Sequence, residues 1–335
     1  MKFKAYAAEK AGSPLKPFEY DPGELKRSQV QIKIEACGIC HSDLSVWRNE
    51  WGMSAYPFVP GHEVVGIVEE AGGDVRHLKP GQRVGTGWYS ASCMVCDVCM
   101  AGDHNLCASA EAIMMGRHGG FADRVCVDAA WAVPVPDSIP VNAAGPLFCG
   151  GITVFNPIVQ CGVSPTDRVG VVGIGGLGHM ALQFLDAWGC EVTAFTSNPA
   201  KSKEATRLGA DRVVNSRDAN AIRALGPLLD FILVTANVPM EWDAYISALK
   251  PRGRLHVVGA VTEPIPVSVF PLLIGQKSVS SSPLGSPATT MRMLEFAARH
   301  GIAPQVETMP MAKVNEAFAK LDAEKPAHRL VLLAS

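Results

Sequence analysis

The chain has 335 residues, of which 48% are hydrophobic and 19% charged, with a formal net charge of −2. Its length exceeds what one hydrophobic core usually supports, so two domains are expected. No basic excess points to nucleic acid or an acidic membrane, and no apolar run is long enough to cross a bilayer. The opening MKFKAYAAEK has no apolar signal core, which predicts a cytosolic protein. Ten cysteines in that compartment read as metal ligands and buried thiols, not disulfides.

Residues 1–150 read as β-rich and irregular, with short alternating runs at 30–34 and 64–69 broken by Pro and Gly. Within this stretch the run CMVCDVCMAGDHNLC places Cys93, Cys96, Cys99 and Cys107 at metal-ligand spacing. Four thiolates around one ion make a full shell with no open position, which is the pattern of a structural zinc. An iron–sulfur cluster is the rival reading. From residue 166 the texture changes. A buried-strand pattern from 167 leads through Gly173-Ile174-Gly175-Gly176-Leu177-Gly178 into an apolar helix at 179–188. A strand at 191–196, a helix at 200–208 and strands at 212–215, 231–235 and 254–258 follow. Alternating strands and helices predict an α/β, doubly wound parallel sheet. From about 287 a helix at 289–300 and a mixed tail return to the first domain. The boundaries are therefore 1–150 with 287–335 for one discontinuous domain, and 151–286 for an inserted nucleotide-binding domain.

A GxGxxG turn between a strand and a helix binds a dinucleotide: its glycines allow a tight turn, close approach to a pyrophosphate and close helix–strand packing. The next strand ends without the carboxylate that an NAD site uses for the ribose hydroxyls. Ser197 and Asn198 follow it, then Lys201, a set suited to a 2′-phosphate, so NADPH is expected over NADH. Lys201 also reads as a solvated first-turn lysine. Cys40, His62, Glu63 and Cys149 form a second candidate set, of the Cys₂His kind that leaves a catalytic zinc one open position. Sequence spacing alone does not assemble it, since lone cysteines and histidines are commonly buried core residues. Cys37, Cys126, Cys161 and Cys190 read as ordinary buried thiols.

The runs CGICHSD at 37–43, PGHEVVG at 60–66, the four-cysteine lobe, the Gly-rich turn and GPLFCGGITVF at 145–155 occur in one order. Together they resemble the zinc-dependent medium-chain dehydrogenase/reductase superfamily, in its cinnamyl alcohol dehydrogenase-like branch. HSDLSVWRNEWG, CGGITVFNP, TSNPAKSKE and VVNSRD resemble bacterial NADPH-dependent aldehyde reductases within it. The resemblance implies a GroES-like β-rich catalytic domain beside a Rossmann domain, two zinc ions per chain, and reversible reduction of an aldehyde to a primary alcohol. It implies Cys40, His62 and Cys149 as catalytic zinc ligands, with Glu63 able to enter the metal shell and Asp43 orienting the histidine. Ser42 matches the proton-relay hydroxyl. Gly173, Gly175, Gly176, Leu177 and Gly178 match the nucleotide fingerprint, Thr153 a threonine beside the nicotinamide, and His41 and Arg329 contacts to the pyrophosphate. Tyr89 matches a channel wall, with Trp51, Trp88, Pro283 and Leu284 as expected neighbours. A homodimer joined edge to edge across the nucleotide domains is also implied. One departure stands out: many relatives carry a histidine three residues after the relay hydroxyl, whereas this chain has Ser45. Serine relays a proton through water but holds none at neutral pH, so a water chain past Ser45 is expected. Two other readings compete. One is a zinc-independent quinone or enoyl reductase of the same superfamily, and the other is a zinc-stapled nucleotide-binding or redox-sensing protein without turnover.

Overall fold

A computed structural model of the chain describes residues 1–261, 263–323 and 328–334. They form two compact units, Met1–Ile152 with Leu284–Ser335, and Thr153–Pro283. The helix Gly150–Gln160 runs through the first boundary, two residues beyond the sequence boundary, and the second falls three residues before it.

The first unit is built on a seven-stranded sheet. Its strand Gln29–Ile39 pairs antiparallel with Val64–Ala71, Arg124–Asp128 and Arg329–Leu333. Alternation drives this: Val30, Ile32 and Ile34 point inward and are at most 3% exposed. They pack with Val64, Val68, Val84, Phe121 and Phe318 in one core. At about 1.5–3 kcal/mol per buried large apolar side chain, this core holds the strand ends that carry the metal ligands in place. The sequence reading missed the helices here. His41–Trp47 falls in the stretch read as β-rich and irregular, and Val314–Asp322 in the mixed tail.

The second unit holds a six-stranded parallel sheet. Its order is Arg212–Asn215, Glu191–Thr196, Arg168–Val172, Leu229–Val234, Leu249–Val257, Ser278–Ser281. Chain order therefore reverses between Arg168–Val172 and Leu229–Val234, the position where doubly wound sheets bind ligands. Central strands are buried on both faces, so they read as continuous apolar runs such as RVGVV. The helix Gly178–Trp188 buries Met180, Ala181, Phe184 and Leu185 along one stripe. It stops at Gly189, whose φ of +105° suits a glycine C-cap. Among the described residues, no helix is long and apolar enough to cross a membrane.

Candidate metal centres and nucleotide site

The strand Gln29–Ile39 delivers Cys40 to the N-cap of the helix His41–Trp47. One buried carboxylate then organises the site. Asp43 Oδ2 accepts the Cys40 amide at 2.8 Å, while Oδ1 accepts the Gly61 amide at 2.9 Å and faces His62 Nδ1 at 3.0 Å. An ionised carboxylate only accepts, so Nδ1 carries the ring proton and Nε2 keeps its lone pair free for a metal. Asp43, His62 and Glu63 are all fully buried. Cys149 closes the set from the end of the turn Gly145–Phe148, with its Sγ 3.3 Å from His62 Nε2 and 3.8 Å from Cys40 Sγ.

These residues fit one tetrahedral ion. Zinc bonds of about 2.3 Å to sulfur and 2.0 Å to nitrogen set the donors roughly 3.5–3.8 Å apart. The charge pattern agrees. Against burial, the Asp43 carboxylate and the Cys40 sulfur raise His62 to about 10. The Cys149 hydrogen bond, opposed by burial and aided by His62, holds Cys40 well below the usual thiol value. Cys149 is pushed up by Cys40 and by burial. A cation at this point would favour the neutral imidazole and both thiolates, bringing His62 and Cys149 down and keeping Cys40 low. Glu63 completes the cluster, its ligand atom within 4.8 Å of the others. Its Oε1 pairs with the Arg329 guanidinium, while Oε2 is buried with no partner among the described residues. An added Cβ on Gly38 would meet that Oε2 at 1.9 Å, so the glycine makes room for the carboxylate. Ser42 lies half-buried with its Oγ 3.8 Å from Cys40 Sγ. Ser45 lies half-buried on the same helix and His41 is exposed.

The four-cysteine lobe shows the same signature. Cys93 Sγ lies 3.9 Å from Cys99 and 3.5 Å from Cys107, and Cys96 lies 3.9 Å from Cys107. Thiolates on a single ion sit this close, whereas ligands on separate irons of a cluster stand farther apart, so zinc is favoured. Amides of Val95 and Cys96 pull Cys93 down to about 6. All ten cysteines are free thiols.

Trp88 connects the catalytic set to a cavity in the same unit. Its ring meets His62 edge-on at 5.2 Å and tilts against Trp51 at 6.0 Å. Trp88, Tyr89 and Leu284, expected from the sequence, line the cavity. Trp131, Phe148 and Thr290 line it too and were missed. Phe148 was legible as the neighbour of Cys149, but nothing local in the sequence marks Trp131 or Thr290. Pro283 is not among the lining residues and belongs to the other unit.

In the second unit the Gly-rich turn sits at the reversal point of the sheet. Gly173 has φ +90°, and a Cβ on Gly178 would lie 1.9 Å from the Gly173 carbonyl. Beside Gly175 a Cβ would meet nothing within 4 Å, which leaves the backbone open to a phosphate. Thr196 ends the strand and its Oγ1 accepts the Asn198 amide at 3.2 Å. Ser197 and Asn198 are exposed. Lys201 Nζ donates to the Ile174 carbonyl at 2.7 Å, which ties it to the Gly-rich turn. Thr153 is half-buried in the helix Gly150–Gln160.

A nucleotide-binding sheet of this order, coupled in one chain to a Cys₂His set and a Cys₄ lobe, defines a zinc-binding dehydrogenase. Family models agree. The alcohol dehydrogenase GroES-like domain matches residues 26–137, and the zinc-binding dehydrogenase model matches residues 176–299. The chain is 52% identical to the aldehyde reductase AdhA of Synechocystis sp., over 98% of each chain. It is 36% identical to cinnamyl alcohol dehydrogenase 7 of Arabidopsis thaliana, over 97% of this chain and 94% of that one. The solved cinnamyl alcohol dehydrogenase of Sorghum bicolor superposes with a TM-score of 0.94 at 37% identity, covering 99% and 97% of the two chains. The enzyme of that class from Helicobacter pylori, solved with NADP(H), gives 0.90 at 28% identity, covering 99% and 98%. The protein belongs to the zinc-dependent medium-chain dehydrogenase/reductase family, in its cinnamyl alcohol dehydrogenase-like branch.

Proposed function

We propose that the protein is an NADPH-dependent alcohol dehydrogenase of the aldehyde reductase type, interconverting an uncharged aldehyde and its primary alcohol. The observation that carries this reading is the buried Cys40, His62 and Cys149 set, three ligands of one ion beside an aromatic cavity. When bound, the metal supplies a Lewis acid for the carbonyl oxygen and the cofactor supplies the hydride. Asp43 holds the His62 tautomer. Glu63 exchanges between the Arg329 guanidinium and the metal shell. Ser42 donates the proton to the oxygen as negative charge develops there, and water beside Ser45 returns it. A zinc-independent quinone or enoyl reductase needs neither set of ligands, and a zinc-stapled protein without turnover would not need a second, three-ligand set that leaves one position open.

Selection of NADPH rests on the missing carboxylate after Thr196 and on Ser197, Asn198 and Lys201 around the 2′-phosphate, while the Gly-rich turn takes the pyrophosphate. His41, Thr153 and Arg329 serve as the remaining cofactor contacts. Free thiols agree with a cytosolic location. A homodimer is supported by the edge strand Ser278–Ser281 and by the helix Val269–Gly275, whose Val269, Phe270, Leu273 and Ile274 are each about 70% exposed. Two-fold pairing of such edges would cover both.

The test is the initial rate with a medium-chain aldehyde and NADPH beside the same assay with NADH. A strong NADPH preference is expected. Preference for NADH refutes the nucleotide assignment, and no rate with either cofactor in zinc-replete protein refutes the activity.

A further inference from the structure

The Cys₄ lobe has the chemistry of a structural staple, yet the residues flanking its ligands reach into the walls of the cavity beside the catalytic set. We infer that the lobe positions the substrate pocket through Asn105 and Ser92. The inference rests on the aldehyde reading above and names what sets the shape of that site.

Two ties carry it, both inside the first unit. Asn105 lies between Cys99 and Cys107 in the short turn His104–Leu106 and is 4% exposed. Its Nδ2 donates to the Leu284 carbonyl at 2.8 Å, and Leu284 lines the cavity. Ser92 immediately precedes Cys93 and is 8% exposed. Its Oγ accepts the Trp131 indole N–H at 3.2 Å, and Trp131 lines the cavity beside Tyr89, ring centroids 5.3 Å apart. Both ends of the cysteine run are therefore joined to pocket residues far away in sequence.

The segment after Leu284 is fixed on its other side by the helix Pro287–His300. Ser286 caps that helix, accepting the Thr289 amide at 3.3 Å, and Thr290 Oγ1 bonds back to the Ser286 carbonyl at 3.0 Å. Residues 284–286 thus hang between a helix cap and one amide of the lobe. Short polar side chains without regular structure around them hold a wall only while their own backbone is rigid, and the metal supplies that rigidity to Asn105 and Ser92. Asn105 Oδ1 is buried and accepts no hydrogen bond among the described residues, so the bond to Leu284 is the one this side chain makes there. Asn105 and Ser92 are positioning residues that act through Leu284 and Trp131.

The test compares Asn105→Ala, Ser92→Ala and Ser92→Thr with the parent protein, each first checked for two zinc ions per chain. The KM of a bulky aryl aldehyde should rise roughly three- to tenfold in Asn105→Ala and Ser92→Ala, the loss of one net hydrogen bond, with kcat and the KM of a two- or three-carbon aldehyde little changed. Ser92→Thr keeps the hydroxyl and should restore the parent ratio. Deuterium uptake at 284–290 should quicken in Asn105→Ala, a readout independent of turnover. Unchanged KM ratios in zinc-replete Ser92→Ala, together with parent-like uptake at 284–290 in Asn105→Ala, overturn the inference. If Asn105→Ala fails to fold, the Ser92 pair decides it alone. If the parent reduces no aldehyde, the activity assignment fails while the exchange measurement still decides the tie.

Discussion

Replacing Asp43 with Asn probes the centre of the catalytic site with almost no change of shape. The carboxylate accepts three buried N–H groups, from Cys40, Gly61 and His62. An amide oxygen left at the Oδ1 position still serves Gly61 and His62. Its NH₂ then faces the Cys40 amide, and a buried donor is left without an acceptor, at a cost of about 1–3 kcal/mol. The two retained bonds lose their charge assistance, so a total near 3 kcal/mol is expected. For a unit of this size that lowers Tm by roughly 6–12 °C. The histidine also loses its orienting anion, so zinc affinity at this site should fall about 10–100-fold. Chelator competition on Asp43→Asn and on the parent, with metal content read per site, measures the affinity, and calorimetry measures Tm. Parent-like values of both would show that the carboxylate does not organise the ligands, and the argument for the site would fall.

Cys40→Ala should lower kcat by more than about a thousandfold, since a Lewis acid supplies several kcal/mol, while NADPH affinity by fluorescence titration stays within twofold; near-full activity would contradict the metal assignment. Cys107→Ser should drop the zinc content from two ions to one per chain and lower Tm, because a structural zinc contributes folding free energy. Ser45→His should alter the pH–rate profile near neutrality, and an unchanged profile would remove this position from the proton route. A last prediction concerns stability and pH. The Arg124 hydrogen bond holds the Glu69 carboxyl below its ordinary value of 4.5, with Gln31 assisting. A depressed carboxylate stabilises the fold above its unfolded value and loses that contribution as pH falls through the folded one. The Tm difference between the parent and Glu69→Gln should therefore be present at pH 7 and shrink below about pH 4.5; a difference independent of pH would rule the ion pair out as its cause.

Much of the nucleotide unit was legible because its signals are local. A glycine turn between a strand and a helix declares itself within six residues, and RVGVV before it reads as a strand buried on both faces. The helices of the first unit were harder. His41–Trp47 has seven residues and is stabilised by Asp43 and by packing rather than by a long apolar period, so a helical pattern has no room to develop. Trp131 and Thr290 entered the cavity only once the chain was folded, since their neighbours there are distant in sequence.

By itself the sequence determined the Cys₄ lobe, the Gly-rich turn and the lack of a carboxylate after the second strand, because in each the groups concerned lie within a few residues and spacing fixes geometry. Order and wording of the motifs also identified the family. Tertiary structure decided what no spacing encodes. It brought Cys40, His62 and Cys149 within bonding distance of one point, and it set Asp43 where a single carboxylate serves three donors. It joined Asn105 to Leu284 across 179 residues of chain. A metal shell and a pocket wall depend on distances of a few ångströms between segments far apart in the chain, and only sheet register and core packing set those distances.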